Sequence, residues 1–98
     1  MTALHIAAAN GHKAVMQLLL EKEAAVDARD EAGRTALHYA AINGHEELVQ
    51  LLLKEGAAVG GSDKEGQMAL HYAATHGLDA VVALLLEEGA AINAPHWG

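Results

Sequence analysis

The 98-residue sequence contains no cysteine, no phenylalanine and a single proline. Without cysteine the chain cannot form the disulfides that commonly hold small secreted domains together. The N-terminus also lacks the basic start and long apolar core of a signal peptide. We therefore expect a reducing location such as the cytoplasm. Because aromatic residues make up only 3% of the chain, we also expect an aliphatic core.

Positive charge is scarce as well. Six lysine and arginine residues stand against 13 aspartate and glutamate residues, which gives a net charge of -7. Such a chain would repel a phosphate backbone or an anionic bilayer. Its apolar runs are far shorter than the roughly 18 residues that a transmembrane helix requires. We therefore expect neither nucleic acid nor a membrane as a partner.

What the chain has in abundance is alanine, with 22 residues, and leucine, with 14. This composition favours helices that pack closely through small side chains. A chain of this length buries only about 60 to 68% of its unfolded surface, so a broad active-site cavity would compete with the core. The composition predicts one small helical domain.

The sequence repeats itself with a period of 33 residues. A Thr-Ala-Leu-His motif begins at Thr2 and at Thr35, and returns at Met68 as Met-Ala-Leu-His. Aligning residues 2–34 with 35–67 gives 18 identities in 33, without insertion or deletion. A period of this length is typical of proteins that stack one structural unit on the next.

Each unit carries the signals of a helix, a glycine turn, a second helix and a loop. In the second unit, Thr35 can cap the first helix and Gly44 suits its end. The second helix should begin near Glu46, where a carboxylate favours the positive helix end, and run to Lys54. Gly56 then ends it. The Asp-Lys-Glu-Gly stretch in the following loop is typical of a tight turn.

These motifs resemble the ankyrin repeat. The likeness rests on the 33-residue spacing, the Thr-Ala-Leu-His opening, the Asn-Gly-His turn, the leucine triplet and the Gly-Ala-Ala-Val that follows it. It implies an all-α solenoid of stacked helix-turn-helix units with projecting β-turn loops. We expect one domain of three units, about 1–33, 34–66 and 67–98. Met68 replaces the capping threonine and should weaken its helix start by about 1 kcal/mol.

Seven histidines raise the question of metal or acid-base chemistry. His5, His38 and His71 recur at the repeat period, and the resemblance implies hydrogen bonds near the start of each first helix. His12 and His45 recur at the start of the second helices. A ligand set would need several donors to converge, rather than one donor per unit. We therefore expect no metal site and no cofactor.

Catalytic motifs are missing too. The single serine, Ser62, is not flanked by the glycines of a nucleophile turn. Adjacent carboxylates such as Glu46 and Glu47 point in different directions on a helix and cannot flank a bond. No glycine motif for binding phosphate occurs. We predict no catalytic residues and no enzyme activity.

The resemblance implies that a partner protein or peptide binds in the concave groove formed by the loop tips and the first helices. Positions on this surface that differ between units are candidate contacts. They are Glu31, Ala32, Arg34, Ile42, Asn43, Lys64, Glu65, Gln67, Thr75 and His76, with Ala9 and Asn10 in the first unit. The negative net charge suggests a basic partner. The leading prediction is a protein-protein interaction module.

Three apolar or aromatic residues near the groove have two interpretations each. Ile42 is either a binding hot spot or a lone exposed apolar side chain, which is common on protein surfaces. Tyr39 and Tyr72 either add contact area for a partner or are partly buried in the stack.

The two ends suggest a different function. A stack needs terminal units with polar outer faces, yet the first helix, with Leu4, Ile6, Ala7 and Ala8, has no visible cap. The second helix of the last unit is also apolar, although a terminal unit should be more polar there. Three alternatives are open. The chain is an excised piece of a longer array, it is a natural or engineered scaffold that associates end to end as a homo-oligomer, or Trp97 caps the stack.

An end-to-end assembly makes its own prediction from the sequence. A charge placed at Leu84 or Val81 should disperse it, because these residues are expected on the bare outer face of the last unit.

Overall fold

The computed structural model describes residues 2–22 and 24–88, which form helices and loops and contain no strand. The helices are α1 (Ala3–Asn10), α2 (Lys13–Glu21), α3 (Ala36–Ile42), α4 (Glu46–Lys54), α5 (Ala69–Thr75) and α6 (Asp79–Glu87). They form three consecutive helix pairs joined by long loops, so the predicted all-α repeat solenoid is confirmed. The expected cap by Trp97 lies outside the described residues.

A histidine side chain accepts a hydrogen bond from the backbone at the start of each first helix. The Nδ1 atom of His38 accepts a hydrogen bond from the backbone N–H of Thr35, at 3.0 Å. The same bond joins His71 to Met68 N, at 2.9 Å. Because the backbone is the donor, this contact survives the loss of the threonine hydroxyl at Met68. The helix start there is therefore present, although it lacks the hydroxyl.

The Asn-Gly-His turn connects the two helices of a pair. Gly44 has a φ of 69°, a left-handed conformation that a glycine adopts without strain. The chain then reverses, and His45 N donates to the carbonyl of Ala40 at 2.9 Å. His45 precedes α4, as predicted, and Glu46 opens this helix.

Small residues let the first helices stack closely. Helix α3 packs between α1 and α5, while α4 packs between α2 and α6. The alanines at the repeated positions Ala7, Ala40 and Ala73 are all buried along this stack. The larger fully buried side chains come mainly from the second helices, and they include Met16, Leu48, Val49, Leu52 and Leu85.

The structure corrects the expectations about the outer faces. Leu4, Ala7 and Ala8 are buried in the common core, so Ile6 is the only large exposed residue of that group. Val81 is also buried, because it belongs to the same core as the second helix pair. The expectation that Val81 lies on a bare outer face is therefore wrong, and a charge there would destabilise the fold.

Two equivalent glycines provide a test of how the loops pack. Gly33 and Gly66 both have positive φ, so alanine at either position should lower the free energy of unfolding by about 1 kcal/mol. A Cβ atom at Gly33 would also lie 2.9 Å from the backbone nitrogen of Lys64, whereas Gly66 has no described neighbour within 4 Å. We expect Gly33→Ala to lose at least about 1 kcal/mol more than Gly66→Ala in urea unfolding. Equal losses would contradict the loop contact.

Candidate partner-binding site

Aspartate side chains hold the two described loop tips. Oδ1 of Asp30 accepts hydrogen bonds from the backbone N–H groups of Ala32 and Arg34, each at 2.9 Å. Asp63 binds Glu65 N and Gln67 N in the same way, again at 2.9 Å. These bonds fix the turn that carries the tip residues at 31–32 and 64–65.

Each aspartate also joins its loop to the helix that follows. The Tyr39 hydroxyl donates to Oδ2 of Asp30, and the Tyr72 hydroxyl donates to Oδ2 of Asp63. Both tyrosines are partly buried, which agrees with the second of their two interpretations. The loop tips are therefore tied to the first helices and do not project independently.

The hydrogen bonds keep both carboxyl groups ionised. Burial raises the pKa of Asp30 and of Asp63, but the bonds from the tyrosine and from the two backbone N–H groups lower it by more. The pKa of each carboxyl group consequently lies below its ordinary value. The groove therefore keeps two fixed negative charges near neutral pH.

Arg34 lies between the two tyrosine rings. Its Cζ atom is 5.9 Å from the ring centre of Tyr39 and 5.4 Å from that of Tyr72, within the range of cation-π contacts. Its Nη2 donates to the Tyr72 hydroxyl at 3.3 Å, and its Nε lies 3.7 Å from Asp63. The guanidinium thus connects the first loop to the third helix pair, while 31% of the side chain remains exposed.

Two buried histidines connect neighbouring units. Nε2 of His38 lies 2.9 Å from the carbonyl of Gln67, and Nε2 of His5 lies 2.8 Å from the carbonyl of Ala28 and 3.1 Å from that of Arg34. Nδ1 must accept, because its partner is a backbone N–H, so Nε2 carries the proton and donates to the carbonyl. Each ring therefore ties the start of one first helix to the residue just before the next.

The environment of His38 disfavours its charged form. Burial lowers the pKa of His38, and the Gln67 carbonyl and Asp63 offset this effect only in part. A second ring proton would also place an N–H at Nδ1, facing the N–H of Thr35. His38 is therefore a structural histidine that works in its neutral form.

The predicted groove residues divide into two groups. Glu31, Lys64 and Glu65 are exposed, and their side chains form no hydrogen bond or ion pair with the described residues. Ala32 and Gln67 lie beside them, with backbone groups engaged in the loop contacts. The loop tips therefore present side chains that are available for binding on a backbone that is held in place.

The predicted residues on the helices are less available. The Nδ2 group of Asn43 donates hydrogen bonds to the carbonyls of Ala9 and Tyr39, at 3.1 Å each. The Thr75 hydroxyl donates to the carbonyl of His71. Ile42 is half-buried and His76 is exposed at the end of α5. Arg34 and Asn43 thus have structural contacts, in addition to any role in binding.

Sequence reasoning missed the aspartates that organise the site. Asp30 and Asp63 recur at the 33-residue period, each nine residues before a tyrosine. This recurrence was a signal for a loop-to-helix contact, but repeated positions were set aside in favour of variable ones.

The described residues offer little for chemistry. They contain no group of three or more histidine, aspartate or glutamate side chains arranged to hold a metal ion. None of the helices in this part of the chain is long and apolar enough to cross a membrane. The arrangement can hold a partner by charge, hydrogen bonds and shape.

Fold and surface together define a helical repeat solenoid with one continuous face of loop tips and first helices. The family model for ankyrin repeats, in three copies, matches residues 4–96. The chain therefore belongs to the ankyrin repeat family, whose members are generally non-catalytic modules of protein-protein interaction. A search of curated proteins finds no match.

The state of His38 predicts how stability depends on pH. Below about pH 6.5 the unfolded chain binds a proton that the folded chain resists, so the free energy of unfolding should fall as the pH drops. A second fall is expected below about pH 4, where Asp30 and Asp63 lose the advantage of their lowered pKa. Urea unfolding across this pH range measures both.

The variant His38→Gln serves as the control. It removes the titrating ring, so the loss of stability between about pH 6.5 and pH 5 should become shallower. NMR titration of His38 provides an independent readout. A pKa higher in the folded chain than in urea would contradict the neutral role.

Proposed function

We propose that the surface of loop tips and first helices binds a segment of a partner protein that carries basic side chains. The observation that carries this proposal is the pair of exposed carboxylates at Glu31 and Glu65, without partners among the described residues, on turns fixed by Asp30 and Asp63. Binding to such tips orders few groups, and this lowers the entropic cost of association.

The charge around the site supports a basic partner. Asp30, Glu31, Asp63 and Glu65 contribute four carboxylates, against the three cations of Arg29, Arg34 and Lys64. The Arg34 guanidinium is already held by Tyr72 and Asp63. A lysine or arginine of the partner would therefore meet an excess of negative charge, which favours fast and selective association.

The proposed activity is recognition without chemistry. Family membership supports a module of protein-protein interaction. The loop-tip turns that carry the site are held by local hydrogen bonds. We infer a cytoplasmic location for the chain, because the sequence has no cysteine.

The test begins with selection of peptides from a random displayed library against the wild-type chain. We expect the selected peptides to be rich in lysine and arginine. The double variant Glu31→Lys/Glu65→Lys should weaken their binding by about tenfold or more, because two attractions become repulsions. Isothermal titration calorimetry measures the change.

A matched double variant separates the local effect of charge in the groove from the effect of the net charge of the chain. Glu21→Lys/Glu55→Lys changes the net charge by the same amount, at exposed positions at the end of α2 and directly after α4. It should leave the affinity within about threefold of wild type. Equal losses in the two double variants, or peptides without basic residues, would refute the groove proposal. Arg34 and Asn43 are left unchanged because their substitution would also disturb the stack.

A further inference from the structure

Six side chains of the chain carry a hydroxyl group, and five of these groups contact another atom of the chain. Two lie about 3 Å from a histidine Nδ1, and three donate to a carbonyl or a carboxylate; they belong to Thr2, Thr35, Thr75, Tyr39 and Tyr72. The sixth belongs to Ser62, which is exposed and whose hydroxyl forms no hydrogen bond with the described residues. Ser62 therefore carries the hydroxyl that another enzyme reaches most easily.

The backbone that precedes Ser62 is loosely held. Gly60 and Gly61 come directly before it, and the equivalent loop of the first unit has no such pair. The backbone N–H groups of residues 59–62 donate no hydrogen bond to the described residues. This segment can therefore extend into the active site of another enzyme at the cost of few internal hydrogen bonds.

Acidic residues follow Ser62 at the next position and at the third position, as Asp63 and Glu65. The Asp63 carboxyl group is buried, and it already accepts hydrogen bonds from Glu65 N, Gln67 N and the Tyr72 hydroxyl. Glu65 is exposed, and its side chain has no partner among the described residues. An enzyme with a basic substrate groove would consequently recognise this loop through Glu65.

The guanidinium group of Arg29 lies beside Ser62. Its Nη1 donates to the Ser62 carbonyl at 2.6 Å and to the Gly33 carbonyl at 2.8 Å. Its Nε and Nη2 form no hydrogen bond with the described residues, and Nη2 lies 3.1 Å from where a Cβ atom on Gly61 would be. Arg29 is thus held at the Ser62 backbone with donors to spare, and such donors match the oxygen atoms of a phosphate group.

We propose that Ser62 is a phosphorylation site for a serine kinase that selects acidic residues after the serine, and that Arg29 binds the phosphate once it is attached. The Ser62 oxygen attacks the γ-phosphorus of ATP, and the new O–P bond replaces the bond to the oxygen that bridges to the β-phosphate. ADP leaves, and the hydroxyl proton passes to a base of the kinase. The proposal does not depend on the proposed partner binding.

The phosphate would connect two neighbouring loops. Arg29 belongs to the loop after α2, and Ser62 belongs to the loop after α4. Phosphoserine carries close to two negative charges at neutral pH, so it forms strong hydrogen bonds with a guanidinium group. Without Arg29, the carboxylates of Asp63 and Glu65 would repel the phosphate, and only Lys64 would offset them on this turn.

The first test treats the wild-type chain with magnesium ATP and a serine kinase of this specificity. Mass spectrometry should find a phosphoryl group on Ser62, and Ser62→Ala should not be phosphorylated. Glu65→Gln should slow the reaction by about tenfold or more, because it removes the attraction to the basic groove of the kinase. Glu21→Gln removes the same charge at an exposed position of α2, and its rate should stay within about twofold of wild type.

The second test locates the phosphate by phosphorus NMR. The second pKa of the phosphate should be lower in the phosphorylated wild type than in phosphorylated Arg29→Gln, by about half a unit or more. The reason is that the guanidinium group favours the dianion. Arg29→Lys keeps the charge and should retain part of this difference. A phosphate that points into solvent would have the same pKa in all three chains.

The kinase is shown to be active on a synthetic peptide of residues 58–68, and circular dichroism shows that each variant is folded. The site is refuted by a folded wild-type chain that stays unmodified while the peptide reacts, or by a rate that Glu65→Gln leaves unchanged. The role of Arg29 is refuted by equal phosphate pKa values in the wild type and in Arg29→Gln.

Discussion

The stack depends on histidine rings that join one unit to the next. His38 accepts a hydrogen bond from Thr35 N at Nδ1, and its Nε2 lies 2.9 Å from the Gln67 carbonyl. Both contacts require the same uncharged tautomer. Because the Gln67 carbonyl directly precedes the start of α5, the ring fixes where the next helix pair begins. Together with the Arg34 contact to Tyr72, it aligns α3 with α5 along the stack.

A second set of contacts turns this scaffold into a surface for recognition. Asp30 and Asp63 each bind two backbone N–H groups and a tyrosine hydroxyl, and Arg34 lies between the two tyrosines. The polar groups that stabilise the loops therefore bind one another within the chain. The side chains beyond them, at Glu31 and Glu65, remain available to a partner. Stability and binding are thus assigned to different atoms of the same short loops.

Much of the local structure could be predicted from the sequence. The helix from Glu46 to Lys54 and the turn at Gly44 follow from caps, glycine and apolar spacing, which act within a few residues. The candidate site was harder to predict. Arg34 was grouped with the variable surface residues, but it is held by Tyr72, which lies 38 residues away. Val81 was placed at the outer end of the stack, but packing against the preceding helix pair buries it.

The sequence by itself determined the period, the helix pairs and the family, because caps, turns and repeat spacing are local and recur unchanged along the chain. Only the tertiary structure decided which side chains remain available. The burial of a residue depends on the neighbouring unit, and equivalent residues such as Leu18 and Leu51 differ in exposure because only Leu51 has a helix pair packed before it. The same sequence signal thus yields core in the middle of the stack and open surface at its end.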